Sequence, residues 1–201
     1  MGTFPTVLTL AVCLLSFGAN ADQGLAKGKL LVATDDVLGP LFAETVVLLL
    51  HYDESGAIGL VVNRPLDATP ADAMPDMPAL ADYEGTLYWG GPVQQYALRA
   101  LLRTDVEPEH ALRVFGAVYL VPPEDELVEH ASTASTLRFY VGYAGWAAGQ
   151  LDAEMDRGSW HVLPATEKSV FAKEPGEVWR QLLPPREYRA AINAAVLARM
   201  R

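Results

Sequence analysis

Two kinds of residue in this 201-residue chain stand where they could hold an anion. Asn63 and Arg64 close an apolar run directly before Pro65. An arginine there can clamp a carboxylate or phosphate with two parallel N–H donors while the asparagine orients it. Gly90-Gly91-Pro92 follows a second apolar run, and Gly142-x-x-Gly145 is read as the turn from a strand into a helix. A glycine turn that opens onto a helix can aim backbone N–H groups at negative charge. Asn63, Arg64, Gly90, Gly91, Gly142, Tyr143 and Gly145 are therefore the ligand-binding candidates, provided that the strand ends converge. Each has a plainer reading: a turn asparagine beside a solvated or ion-paired arginine, and glycines that permit tight turns and let Trp146 pack closely. The glycine segments lack the Gly-Lys-Ser/Thr of a phosphate loop and do not match the dinucleotide fingerprint, so no cofactor is expected.

No catalytic residue can be named. No serine stands in Gly-x-Ser-x-Gly. The single cysteine, Cys13, lies in the N-terminal apolar stretch, which leaves the remainder without a thiolate nucleophile, a disulfide or a cysteine metal site. His51, His110, His130 and His161 show no short metal-ligand spacing, and no metal is expected. His51 ends an apolar strand and reads as a hydrogen-bonded packing residue. Asp152, Glu154 and Asp156 fall on the solvated side of an expected helix and are weak candidates for acid–base work. Met74 and Met77 offer thioethers of the kind that select Cu(I), but in an acidic loop with no nearby histidine they read as incidental.

The elements that must position these residues follow from periodicity and breakers. Lys29–Ala33 reads as a strand, and residues 45–51 as a strand buried on both faces. Asp53-Glu-Ser-Gly56 is a turn that leads into a strand at 57–62, making a hairpin. Residues 66–85 form a long acidic connection with a short helix at Pro70–Ala73. Strands follow at 86–89, 97–102 and 117–121, then a helix over 122–134, a strand at 137–141 and a helix with Ala147, Leu151 and Met155 on its apolar face. A short strand at 160–163 precedes two closing helices, at 177–183 and 186–200. Interleaved in this way, they predict an α+β fold, a mixed sheet flanked by helices, in a single domain.

Net charge is −10, with a pI near 4.8, and this disfavours nucleic-acid binding. Val7–Phe17 is too short to span a bilayer and suits a signal-peptide core, followed by Ala19-Asn20-Ala21 and cleavage before Asp22. The organisation expected is a signal peptide at 1–21, a tether at 22–28, the domain at 29–183 and a C-terminal amphipathic helix at 184–201. The setting is then periplasmic or secreted, with no stable membrane insertion after cleavage. In the last helix Tyr188, Ile192, Ala195 and Val196 form an apolar stripe beside Arg186, Arg189, Arg199 and Arg201. It is expected to dock on its own domain, with a partner or a membrane surface as the alternative.

Several segments together resemble one family. Leu41-Phe-Ala-Glu-Thr-Val-Val47, Gly59-Leu-Val-Val-Asn-Arg-Pro65, Gly90-Gly-Pro-Val93, Gly142-Tyr-Ala-Gly-Trp146, Gly149-Gln-Leu151 and Ser159-Trp160 occur in the order expected of the AlgH/YqgE family. The resemblance spans roughly Gly28 to Leu183. It implies a compact domain with a curved or barrel-like sheet, in bacterial proteins that are usually intracellular, so a cytoplasmic setting is the alternative to export. Their biochemical role is not established, and their name comes from a suggested regulatory link to alginate production. The function expected is a non-enzymatic protein that binds a protein partner or a small anionic ligand, with any regulatory role indirect. The alternatives are a small hydrolase acting on a phosphorylated or carboxylated compound, and a transcriptional regulator.

Overall fold

The computed structural model describes residues 24–37, 39–81, 83–122 and 136–184. Strands β1 (Lys29–Ala33), β2 (Val46–Asp53) and β3 (Gly56–Val61) form an antiparallel meander, with β2 and β3 joined as the expected hairpin. The first five residues of β2 are all buried, as a run without polar alternation requires. Helix α1 (Pro70–Ala73) begins where its residues say it should. Thr69 caps it reciprocally with Asp72, and Pro70 occupies the first turn, where no N–H is needed.

Beyond it come β4 (Leu87–Trp89), β5 (Val93–Arg103), β6 (Leu112–Phe115), β7 (Val118–Val121) and β8 (Thr136–Ala147). Helix α2 (Gln150–Asp156), strand β9 (Trp160–Pro164) and helices α3 (Glu167–Val170) and α4 (Pro175–Leu182) complete the described chain. Among the described residues the strands make one nine-stranded sheet in the order β6-β7-β5-β8-β3-β2-β1-β9, with β4 beside β8. The β4–β8 pair is parallel and every other pair antiparallel, so the sheet is mixed.

The sheet curls. One apolar cluster draws on both of its halves, from Leu30, Val46 and Leu60 to Leu101, Val118 and Tyr140, as the concave face of a curled sheet does. Helix α4 covers that face with Val178 and Trp179, and the Trp179 indole N–H donates to the carbonyl of Ala33 at 2.7 Å. Two separate clusters lie on the convex side. One is built on Leu31, Val47, Val61, Trp146 and Trp160 and covered by α2, and the other is built on Leu98, Leu102, Tyr119 and Phe139. The curl brings β6 back toward the start of β1: the Lys27 ammonium donates to the carbonyl of Arg113 at 3.0 Å. A Cβ on Gly28 would stand 3.1 Å from the Val114 carbonyl oxygen.

Several expectations are corrected here. Gly142–Trp146 is not a turn into a helix, because β8 runs through it and α2 starts only at Gln150. The physical reason is that both edges of this stretch find strand partners, β5 on one side and β3 on the other. The described part of the tether, Gly24–Gly28, is packed: Leu25 joins a convex cluster, and the Gly28 N–H donates to Leu49 at 2.9 Å. Strand β6 and helix α3 were not anticipated, since four residues each are too few to show a period. Met74 and Met77 pack against the second convex cluster. The expected leader at 1–21 with Cys13, the helix expected over 122–134 with His130, and the C-terminal helix beyond Pro184 lie outside the described residues.

Candidate functional site

Residues 39–45 end the link from β1 to β2, and the site grows from the way this part of the link is held. Glu44 has a φ of 57°, in the left-handed region that side chains rarely adopt. Asn63, just past β3, holds that conformation from both ends of its amide. Its Nδ2 donates to the Glu44 carbonyl at 2.9 Å, and its Oδ1 accepts from the Val46 N–H at 2.8 Å. Asn63 is buried and its bond from Val46 forms away from water, so the side chain is a structural brace.

Arg64 braces the same link further out. Nη2 donates to Ala43 at 2.8 Å, and both terminal nitrogens reach the Pro40 carbonyl at 3.2 Å. Its guanidinium carbon lies 5.2 Å from the centre of the Trp89 ring, a cation–π distance. Burial lowers its pKa, and the nearby Glu44 carboxylate opposes that shift. These contacts use three N–H directions of the five a guanidinium offers, so donors remain for a ligand.

Phe42, at the centre of the link, sits among three tryptophans, with ring centroids 6.3 Å from Trp89, 6.3 Å from Trp146 and 6.0 Å from Trp160. Glu154 ties two of these together: its Oε2 accepts both the Trp146 and the Trp160 indole N–H, each at 2.9 Å. Its other oxygen accepts from Gln150 Nε2 at 3.0 Å. The expectation that Glu154 lies on a solvated face is therefore wrong, because α2 docks with this carboxylate turned inward. Asp152 accepts the Tyr52 hydroxyl at 2.6 Å, and that hydrogen bond raises the Tyr52 pKa.

The glycines gather elsewhere and for another reason. The Gly90 N–H donates to Val141 and its carbonyl accepts from Val61, so Gly90 is where β3 and β4 meet along one edge of β8. A Cβ on Gly90 would overlap the Gly142 carbonyl, one on Gly91 the backbone of Tyr143, and one on Gly142 the Gly91 carbonyl. Two backbone segments, 90–91 and 142–144, pass there too closely for side chains. Tyr143 and Gly145 belong to the other face of the sheet, where the Tyr143 ring carries the Arg99 guanidinium at 4.5 Å. The seven candidates thus divide among a brace, a glycine crossing and the concave face.

What opens to solvent is a cleft of about 540 Å³ lined by Leu41, Asn63, Arg64, Pro65, Leu66, Trp89 and Gln95. It lies between the covers of the two convex clusters, with Trp89 packing on one and Leu66 on the other. Leu41 is 49% exposed at its mouth. Sequence reasoning missed Leu41, Leu66, Trp89 and Gln95. Leu41 and Trp89 stood within or beside the quoted motifs, whereas nothing marked Gln95.

His51 also departs from expectation: it is exposed and pairs with Asp53 at 2.9 Å. Among the described residues no group of three His, Cys, Asp or Glu is placed to hold a metal ion, and no helix is long and apolar enough to cross a membrane.

Four of the quoted motifs meet around Phe42, through Phe42 itself, Arg64, Trp146 and Trp160. A family model described as AlgH-like matches residues 30–188. The chain belongs to the AlgH-like family. It is 34% identical to a UPF0301 protein of Rhodococcus jostii over 170 residues, covering 82% of this chain and 85% of the relative. It is 38% identical to one from Streptomyces coelicolor over 165 residues, covering 78% and 84%. The solution structure of the AlgH protein from Pseudomonas aeruginosa shares the fold with a TM-score of 0.61 at 30% identity, over 84% of this chain and 87% of that one. A crystal structure of a Corynebacterium diphtheriae protein shares it with a TM-score of 0.70 at 24% identity, over 81% and 90%. The curved sheet implied by the resemblance is the AlgH-like fold seen here.

Proposed function

We propose that this AlgH-like chain is a non-enzymatic binding protein, exported by its N-terminal segment, that receives a carboxylate-bearing ligand or partner group in the Arg64–Trp89 cleft. The observation that carries the reading is a half-buried guanidinium with donors to spare, set in apolar walls. Leu41, Pro65, Leu66 and Trp89 supply the walls, and Gln95 a neutral amide. A volume of about 540 Å³ falls within the range of small-ligand sites. The residues lining the cleft include no nucleophile and no group suited to proton transfer near neutrality, which favours binding over hydrolysis. Any regulatory effect would then be indirect.

Calorimetric titration with phenylpropionate, set against its uncharged amide, tests the cleft. The carboxylate is expected to bind and the amide not. Leu41→Glu places a negative charge at the mouth without touching the contacts of Arg64, and about tenfold weaker binding of the carboxylate is expected. Equal binding of acid and amide, or an indifferent Leu41→Glu variant, overturns the reading. Export has its own measurement: protein from the periplasmic fraction is expected to begin at Asp22 by N-terminal mass. A full-length chain confined to the cytoplasm removes that part.

A further inference from the structure

A second groove adjoins the cleft and carries the opposite charge. It measures about 330 Å³, shares Leu66 with the cleft, and is lined by Asp67, Ala68, Thr69, Asp72, Glu84, Gly85 and Thr86. Hydrogen bonds from the backbone and side chain of Thr69 hold the Asp72 carboxyl below the usual range, so it stays charged. Passing over Leu66 therefore leads from one cation, Arg64, to three carboxylates. A free small anion has no use for the second groove.

Gln95, which also lines the cleft, belongs to a bulge of β5. Val93 pairs with Tyr143 and Leu98 with Val141, so the four residues Gln94–Ala97 oppose Gly142 alone. Gln94 has a φ of 49°, and the bulge is braced: Arg99 donates to Gln94 Oε1 at 3.0 Å, and Gln95 Nε2 to the Pro92 carbonyl at 3.2 Å. This strained and braced segment holds Tyr96 98% exposed, beside Gln95 in the cleft wall. Strain that presents an aromatic side chain to solvent suits recognition.

We infer that the two grooves and Tyr96 together receive an extended segment of a partner protein in which a carboxylate, an apolar residue and a basic residue follow one another. The carboxylate meets Arg64, the apolar side chain lies over Leu66 and the basic residue enters the acidic groove, while Tyr96 packs on the flank beyond the carboxylate. The inference rests on the binding role of the cleft and adds the identity of the occupant. A second copy of the chain is a poorer fit, since each copy brings a net charge of −10.

Fluorescence anisotropy with labelled peptide pools sharing an Asp-Leu-x-Lys core decides it. The pool is expected to bind the full chain, and a pool with Asn for Asp about tenfold more weakly. Glu84→Lys is expected to weaken the parent pool and to favour a pool with Glu in place of Lys, a swap that a folding defect cannot imitate. Tyr96→Ala, which removes an exposed ring, is expected to weaken binding about fivefold to tenfold with an unchanged melting temperature. Failure of the parent pool to bind, indifference to the charge swap, or full binding by Tyr96→Ala overturns the inference. If phenylpropionate still binds in that case, the cleft reading survives without the peptide; if neither binds, both fall.

Discussion

Gly142→Ala is expected to leave little folded protein, whereas Gly158→Ala, at nearly the same backbone angle, should unfold about 1–2 kcal/mol more easily than the parent. The two glycines have φ values of 71° and 74°. They therefore share the left-handed strain that any side chain would add. Their surroundings differ: a Cβ at Gly158 meets nothing within 4 Å, while one at Gly142 overlaps the carbonyl oxygen of Gly91. That oxygen belongs to the backbone of the chain crossing β8, so no rotamer relieves the contact. Relief would require β4 and β8 to separate where Gly90 already bonds to Val141 and Val61. A loss above ~4 kcal/mol is a large share of the ~5–15 kcal/mol that stabilises a typical domain. Urea unfolding of both variants, with soluble yield, makes the comparison. Equal shifts would mean that the crossing is loose and that Gly142 serves only its backbone angle.

The second large effect is expected at Glu154. Trp146 and Trp160 are both buried, and a single carboxylate oxygen accepts their two indole N–H groups. Leucine in place of Glu154 leaves both donors without an acceptor, and about 3 kcal/mol of stability should be lost. Each orphaned buried donor costs ~1–3 kcal/mol, and two neighbours do not add in full. Glutamine keeps one acceptor oxygen for the indoles but turns its NH₂ toward the Gln150 donor, so about 1 kcal/mol is expected. Denaturant midpoints give the ranking, and tryptophan fluorescence reports the loosening of the cluster. A leucine variant within ~0.5 kcal/mol of the parent would show that water already satisfies the indoles.

These two sites bear on the cleft because they fix its walls. Trp89 stands next to the glycine crossing and touches Phe42, which touches the tryptophans that Glu154 joins. Arg64 bonds to the same link that carries Phe42. The cleft is thus shaped by residues whose own business is stability, and a binding defect in Arg64 variants must be read beside Leu41→Glu for that reason.

Much of the fold was legible in the residues. The unbroken apolar run of β2, the turn residues before β3 and the Thr69-Pro70 start of α1 each act through neighbours a few positions away, so period and capping reveal them. Asn63 and Arg64 were correctly seen to stand at a strand end, and the order of the motifs pointed to the family. Where those residues point was not legible. Asn63 reaches Glu44 and Val46, 19 and 17 positions back, and Arg64 reaches Pro40, 24 positions back. The glycines of β8 looked like a turn because glycine weakens a strand locally, yet two flanking strands hold the segment in the sheet. Glu154 looked solvated because its helix is amphipathic only in outline, and the indoles that claim it come from β8 and β9. By itself the sequence determined most of the strands and helices, though not β6, α3 or the second half of β8, since those preferences are set by adjacent residues. Only the tertiary structure decided which polar groups are consumed within the protein and which remain for a ligand, because hydrogen-bond partners are assigned by the curl of the sheet, which brings distant residues together.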